Sequence, residues 1–285
     1  MFGRRRQRIF RLETLGVLLL SLASIPAMLP AVSQAADSVP NDLIHMTRTF
    51  AGDAFHIYTF PLHMSGRDAA VLSGVLAVTG LIYAYDQEIL DAVQRNEESD
   101  LWKPLWETGD FFEPLGHMGN TNIWYMGGVV LGYATRQEKF SLVCAQILES
   151  HYIGGMGKNL IQHIVGRQRP YGDLGPREFG VDNATSFPSG HSNNIFQLPV
   201  ILSHHVDHPA FTVLAYSVAA SVGIQRVRSN MHWPSDVFFS SFYGWSVAKG
   251  VLRLHEGRQT TVAPHVSRLG VGLEVTVCSW PEWSH

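Results

Sequence analysis

The chain has 285 residues, of which only 16% are charged, against the roughly 25% usual for soluble domains, and its net charge of -3 argues against a nucleic-acid partner. Its two cysteines, Cys144 in an apolar segment and Cys278 near the end, make no disulfide framework and read as packing residues. This composition places the chain at or near a membrane, with length enough for a large helical core.

From the start, Arg4, Arg5, Arg6, Arg8 and Arg11 precede an uncharged run from Thr14 to Ala36. A basic segment followed by an apolar run and a small-residue site reads as an export signal over residues 1–35, with an uncleaved anchor as the alternative. Residues 36–68 are polar and mixed, and within them Phe55 to Phe60 is a strand-like run. Residues 69–257 read as a helical domain. Its first helix is expected from Ala69 to Tyr85, and an acid-rich amphipathic or solvated connector carrying Trp102 and Trp106 follows to Glu113. Further helices are expected at Pro114 to Thr135, Phe140 to Leu160, Ser192 to Val206, Pro209 to Gln225 and Val237 to Leu252. Gly127, Gly128 and Gly132, like Gly154, Gly155 and Gly157, read as close-packing or kink positions. Glu149, His151, Asn193, Asn194 and Gln197 make several of these segments core helices as readily as spans. His204, His205 and His208, beside Asp207 and Pro209, read as a polar turn and not as a metal site.

Three polar clusters interrupt the apolar pattern: Gly166-Arg167-Gln168-Arg169-Pro170, then Ser186-Phe187-Pro188-Ser189-Gly190-His191, then Gln225 to Asp236 with Arg226, His232 and Asp236. Each lies where a helical segment begins or ends. Pro188 ahead of Ser189 and Gly190 reads as the first turn of a helix whose free N–H groups can face an anion. Arg169 and Arg226 offer planar forks that match phosphate oxygens and stay charged at any relevant pH. Neither histidine needs an unusual pKa to transfer a proton or attack near neutrality.

In order and spacing, Arg169-Pro170, Pro188-Ser189-Gly190-His191 and Arg226 with His232 and Asp236 resemble the three signature motifs of the type 2 phosphatidic acid phosphatase superfamily. Bacterial acid phosphatases, membrane lipid phosphatases and vanadium haloperoxidases share these motifs. The match covers about eighty residues directly. It departs from the family pattern at Gln162, where a lysine is usual, and at Gln225, where a serine is usual. Lys158 lies one helical turn before Gln162 on the same face and is the expected substitute, with Arg167 and Arg228 as other nearby cations.

The resemblance implies a two-step covalent mechanism. His232 attacks phosphorus, Asp236 holds its other ring nitrogen, and His191 protonates the leaving oxygen and later activates water. Arg169, Arg226, Lys158 and the N–H groups of Ser189 and Gly190 bind the phosphate oxygens, with no metal or other cofactor. The loop from Tyr171 to Phe187 is expected to border the entrance.

The tail, residues 258–285, carries one strand, because Leu269, Val271, Leu273, Val275 and Val277 alternate with smaller or polar residues. Its expected partner is Phe55 to Phe60. The fold class is therefore all-α, a bundle of about six core or membrane helices with a short terminal β element. The expected activity is hydrolysis of phosphate monoesters or pyrophosphates, on a phosphorylated lipid or small phosphate ester of the cell envelope. The expected site faces the periplasm from a membrane-integrated chain, an exported peripheral enzyme being the alternative. A vanadate-dependent haloperoxidase and a non-catalytic phosphate or lipid binder are the rival functions.

Overall fold

The computed structural model describes residues 41–257, 260–267 and 270–277. The chain divides into two compact units, Met1–Gly52 and Asp53–His285. The export signal or anchor expected within residues 1–35, and Cys278, lie outside the described residues.

Among the described residues the body is all-helical. In order it comprises α1 (Asn41–Thr59), α2 (Gly66–Ala84), α3 (Asp86–Arg95), α4 (Lys103–Phe112), α5 (Met118–Ala134), α6 (Glu138–Val165), α7 (Gly190–Val206), α8 (Pro209–Arg228) and α9 (Pro234–Gly257). Short 3-10 turns occur at Phe60–Leu62, Glu113–Gly116 and Pro170–Gly172. Helix α2 starts ahead of the expected Ala69 because Ser65 and Asp68 form a capping box. The Ser65 hydroxyl accepts from Asp68 N, and the Asp68 carboxylate accepts from Ser65 N.

Helix α7 is the central element, packed against α6, α8 and α9. Ile147 of α6, Ile195 and Ile201 of α7, Val222 of α8 and Ala248 of α9 meet in one buried cluster. Small residues permit the closest crossings. A β-carbon on Gly244 would fall 2.1 Å from Asn193 O, so α7 and α9 touch backbone to backbone. A β-carbon on Gly128 would fall 2.6 Å from Cys144 Sγ, and one on Gly132 would fall 2.8 Å from Ser141 N, which explains the close pairing of α5 with α6. Gly127 meets nothing within 4 Å and has no such role. Cys144 is buried and free.

Three expectations are corrected. Phe55 to Phe60 is not a strand: residues through Thr59 belong to α1, followed by a 3-10 turn. Its β-prone residues are overridden by packing, since helical spacing puts Ala54 in the core and Ile57 against Gly250. The proposed pairing with the tail falls with it. Backbone strands β1 (Thr260–Ser267) and β2 (Gly270–Val277) instead run antiparallel to each other, Thr260 opposite Val277 and Ser267 opposite Gly270. The acid-rich connector is also more than a solvated link. It forms α3 and α4, which bury Asp86, Leu90 and Trp106, and with α1 these bring the described helices to nine against the expected six.

Much apolar surface faces outward. Val71, Leu76, Val78 and Leu81 of α2, and Ile123, Trp124 and Val130 of α5, are exposed. Helices α2 and α8 are long and apolar enough to cross a membrane.

Candidate active site

The three motifs meet at the N-terminal end of α7. Helix α6 stops at Gly166, whose φ of +54° closes its C-terminus with a hydrogen bond from Gly166 N to Gln162 O. The reversal delivers Arg167 and Arg169. The Ser186-to-Ser189 segment then leads into α7, where Ser189 is the N-cap and its hydroxyl accepts from Ser192 N. Pro188 therefore lies outside the helix, two residues before its first helical position and not at that position as the sequence implies, and Gly190 and His191 open it. Their N–H groups fall among the donors that a helix start leaves without intrahelical partners.

His232 sits in the turn between α8 and α9, which is held by Met231 N and His232 N donating to Arg226 O. Its imidazole is 2% exposed, and its Nδ1 lies 2.8 Å from Ser186 O. A carbonyl can only accept, so Nδ1 carries the proton and Nε2 keeps its lone pair. This is the tautomer a nucleophile needs. The partner differs from the expected one, because Asp236 Oδ2 stands 3.9 Å from Nδ1, beyond hydrogen-bond reach. Burial lowers the His232 pKa despite that nearby carboxylate, so the ring stays neutral below the usual histidine range.

Asp236 is fully buried and is the junction of the motifs. It accepts from Arg167 Nη1 at 2.5 Å, from Ser186 Oγ at 2.5 Å and from Trp233 N at 3.0 Å. Burial would raise its carboxyl, but His232, Arg167 and Ser186 together hold it below the ordinary carboxylate range. Arg167 also reaches Asp86 at 2.6 Å, Ser235 Oγ at 2.8 Å and the Pro176 carbonyl, and its guanidinium lies 5.0 Å from the Tyr83 ring centroid and 5.5 Å from that of Trp233. It is thus committed to the interior and is no substitute cation for phosphate. Arg228 is likewise engaged, by Asp110 at 2.5 Å.

Arg169 donates to Thr185 Oγ1 at 3.0 Å, and its buried Nε has no hydrogen-bond partner among the described residues. Arg226 donates from Nε to Gln225 Oε1 at 2.7 Å, while Gln225 Nε2 donates to Asp110 at 3.0 Å. The glutamine that replaces the usual serine therefore braces the arginine. Gln162 braces the loop in a similar way, donating to Thr185 O at 3.0 Å and Pro188 O at 2.8 Å. Lys158 approaches the start of α7: a β-carbon on Gly190 would lie 3.6 Å from its Nζ. Burial, with Arg169 nearby, brings the Lys158 pKa down to about 8.

His191 lies close enough to Arg226, His232, His117 and Arg169 for their charges to act on it. Together with burial, which dominates, they push its pKa from 6.5 to about 3. The structure thus brings together His232, His191, Asp236, Arg169, Arg226, Lys158, Ser189 and Gly190. Sequence reasoning missed Asp86 and Glu113, isolated acids with no motif around them, and it missed Ser186 as the partner of His232 although it stands inside a quoted motif. Glu113 Oε1 lies 2.9 Å from both Arg226 Nη1 and His191 Nε2. His204 and His205 face Glu256 and Gln146, respectively. The one grouping of three potential metal ligands among the described residues, Asp53, Glu149 and His255, contains no motif residue.

Residues 141–260, which contain all of these motifs, match the sequence model of the PAP2 superfamily. The chain thus carries a segment similar to this superfamily. A lipid A 1-phosphatase of Porphyromonas gingivalis is 31% identical over 116 residues, 40% of this chain and 24% of that protein. A lipid A 1-phosphatase of Rhizobium etli is 30% identical over 112 residues, 37% of this chain and 47% of that protein. The chain therefore spans less than half the length of either. Two solved structures are looser likenesses. Aquifex aeolicus LpxE has a TM-score of 0.40 and 19% identity, over 58% of this chain and 93% of that one. A transmembrane PAP2-type phosphatidylglycerolphosphate phosphatase from Bacillus subtilis has a TM-score of 0.35 and 21% identity, over 75% of this chain and 95% of that one.

Proposed function

We propose that this chain is a metal-independent phosphatase that hydrolyses a phosphate monoester or pyrophosphate of a membrane lipid through a phosphohistidine intermediate. The observation that carries the reading is the fixed tautomer of His232: Nδ1–H is bound to Ser186 O, which leaves Nε2 as a nucleophile in a buried setting with Arg169 near it. In the first step Nε2 bonds to phosphorus as the bond to the leaving oxygen breaks, and His191 supplies the proton to that oxygen. A phosphate dianion in the cradle favours the protonated form of His191, offsetting the burial that depresses its pKa. In the second step neutral His191 takes a proton from water, whose oxygen attacks phosphorus and releases His232. Arg169, Arg226, Lys158 and the first N–H groups of α7 bind the equatorial oxygens, where charge accumulates.

The lipid class is supported by the lipid A 1-phosphatase relatives and by the apolar surface of α2 and α5. Helices α2 and α8 are the candidate spans, and the site is proposed to face the periplasm. The segmentation we favour keeps residues 1–35 as signal or anchor, 36–68 as a leading segment, 69–257 as the catalytic body and 258–285 as a tail.

The test is to incubate purified full-length protein with soluble phosphate esters, phosphatidic acid, isoprenoid pyrophosphates and lipid A, with and without EDTA. Phosphate release from a lipid substrate that survives EDTA, with an acid-labile phosphohistidine trapped at His232, is the expected result. Activity lost in EDTA and restored by zinc or magnesium, or a phosphoserine at Ser189, would refute it.

A further inference from the structure

Glu113 opens the 3-10 turn Glu113–Gly116, between α4 and α5. The turn is fastened to the site: Asn194 Nδ2 donates to Gly116 O at 2.9 Å, and a β-carbon on Gly116 would fall 3.0 Å from His191 Cδ2. One carboxylate oxygen, Oε1, stands 2.9 Å from Arg226 Nη1 and 2.9 Å from His191 Nε2. The contact with Arg226 is an ion pair on a guanidinium whose side chain is only 8% exposed, whereas His191 Nε2 has no aligned hydrogen bond. The Glu113 side chain is 27% exposed, the most open member of this group.

We infer that Glu113 is the resident anion of the site, occupying the space between Arg226 and His191 that a phosphate oxygen is to take, so that substrate binds by displacing it. This rests on reading the site as a phosphate site. The physical reason is that Arg226 is too buried to stand uncompensated, and a carboxylate is the nearest protein mimic of a phosphate edge. Both anions cannot hold the same guanidinium edge, because like charges at that separation repel.

The exchange sets an affinity threshold. A phosphomonoester dianion replaces one negative charge with two and so gains attraction to Arg226, Arg169 and Lys158. A singly charged diester replaces like with like and gains little. Displacement also clears His191 Nε2 of its carboxylate neighbour, so that this nitrogen can face the leaving oxygen. Glu113 thus sets the affinity that an incoming anion must exceed, and it is supplied from outside the three motifs, by the turn between α4 and α5.

The test is calorimetric binding of methylphosphonate, a dianion at mildly alkaline pH that cannot be hydrolysed, and of its monomethyl ester, a monoanion. Wild type, Glu113→Gln and Glu113→Asp are compared as full-length protein in detergent. Removing the competing charge in Glu113→Gln should tighten both ligands by at least tenfold and by similar factors, because each is spared the same displacement. Glu113→Asp, too short to reach Arg226, should bind tighter than wild type as well, and it decides the matter if Glu113→Gln fails to fold. Unchanged or weaker binding in the folded variants overturns the inference and leaves the phosphate-site reading standing. No binding of methylphosphonate to wild type overturns that reading itself.

Discussion

At the scale of single residues, the two site histidines are set apart by their surroundings. His232 is fixed by one carbonyl and buried, while His191 is held down by burial and by neighbouring cations. His232→Ala should reduce turnover to background, and His191→Ala should lower kcat by roughly a hundred- to ten-thousandfold, as removal of a general acid does, both read by steady-state phosphate release. The depressed pKa of His191 also has a consequence for stability. Its folded value of about 3 lies below the 6.5 of the unfolded chain, so between those values the unfolded state binds more protons. The contribution is complete above pH 6.5 and is lost progressively as pH falls toward 3. Thermal melts between neutral pH and pH 4.5 should therefore drop more steeply for wild type than for His191→Asn. Equal slopes would show that the imidazole is free to protonate in the folded protein.

At the scale of elements, the ends of α6 and α7 carry the proposed cradle. Lys158→Ala should lower kcat/KM by roughly tenfold or more, about 1.5 to 3 kcal/mol of transition-state stabilisation, if its ammonium serves the anion beside Gly190. Unchanged kinetics would leave Arg169 and Arg226 as the working cations. Gln162 belongs to a different account, since its amide holds two carbonyls of the loop that enters α7. Gln162→Ala should cost about 1 to 3 kcal/mol of stability, measured by denaturant unfolding, because a buried acceptor loses its donor. Arg167→Ala should cost more, about 3 to 5 kcal/mol, by leaving Asp86 and Asp236 buried without their shared cation. Arg167→Lys should rescue little, for a single ammonium cannot span both carboxylates as the guanidinium does.

At the scale of the whole molecule, the helices and the motif residues were legible in the sequence because both follow short-range rules. Apolar runs mark α2 and α5 to α9, and the three motifs mark where their ends converge. What was not legible depends on long-range packing. Phe55 to Phe60 carries β-prone residues, yet Ala54 and Ile57 are needed against other helices and the segment coils. Asp86 and Glu113 reach the site only because α3 and α4 fold back upon α8 and α9, a tertiary fact with no local signature. The outward apolar faces predict that the full chain stays with the membrane fraction after a high-pH wash. Replacing Leu76 and Leu81 with lysine should release a measurable part of it while leaving Arg167 and its partners unchanged. Quantitative release of wild type by the same wash would argue that α2 packs against protein instead.

The convergence of Arg167, Ser186 and Trp233 on one carboxylate makes the motif sequences inseparable as parts. Grafting the Arg226-to-Asp236 turn alone onto another helical scaffold would import Asp236 without its donors, and the likeness of sequence would carry no chemistry with it. A working transplant would have to include Arg167 with its second carboxylate, Asp86, from a helix that lies outside the matched 141–260 segment. Engineers of minimal versions of this site should therefore count the third helix as part of it, however little it resembles a motif.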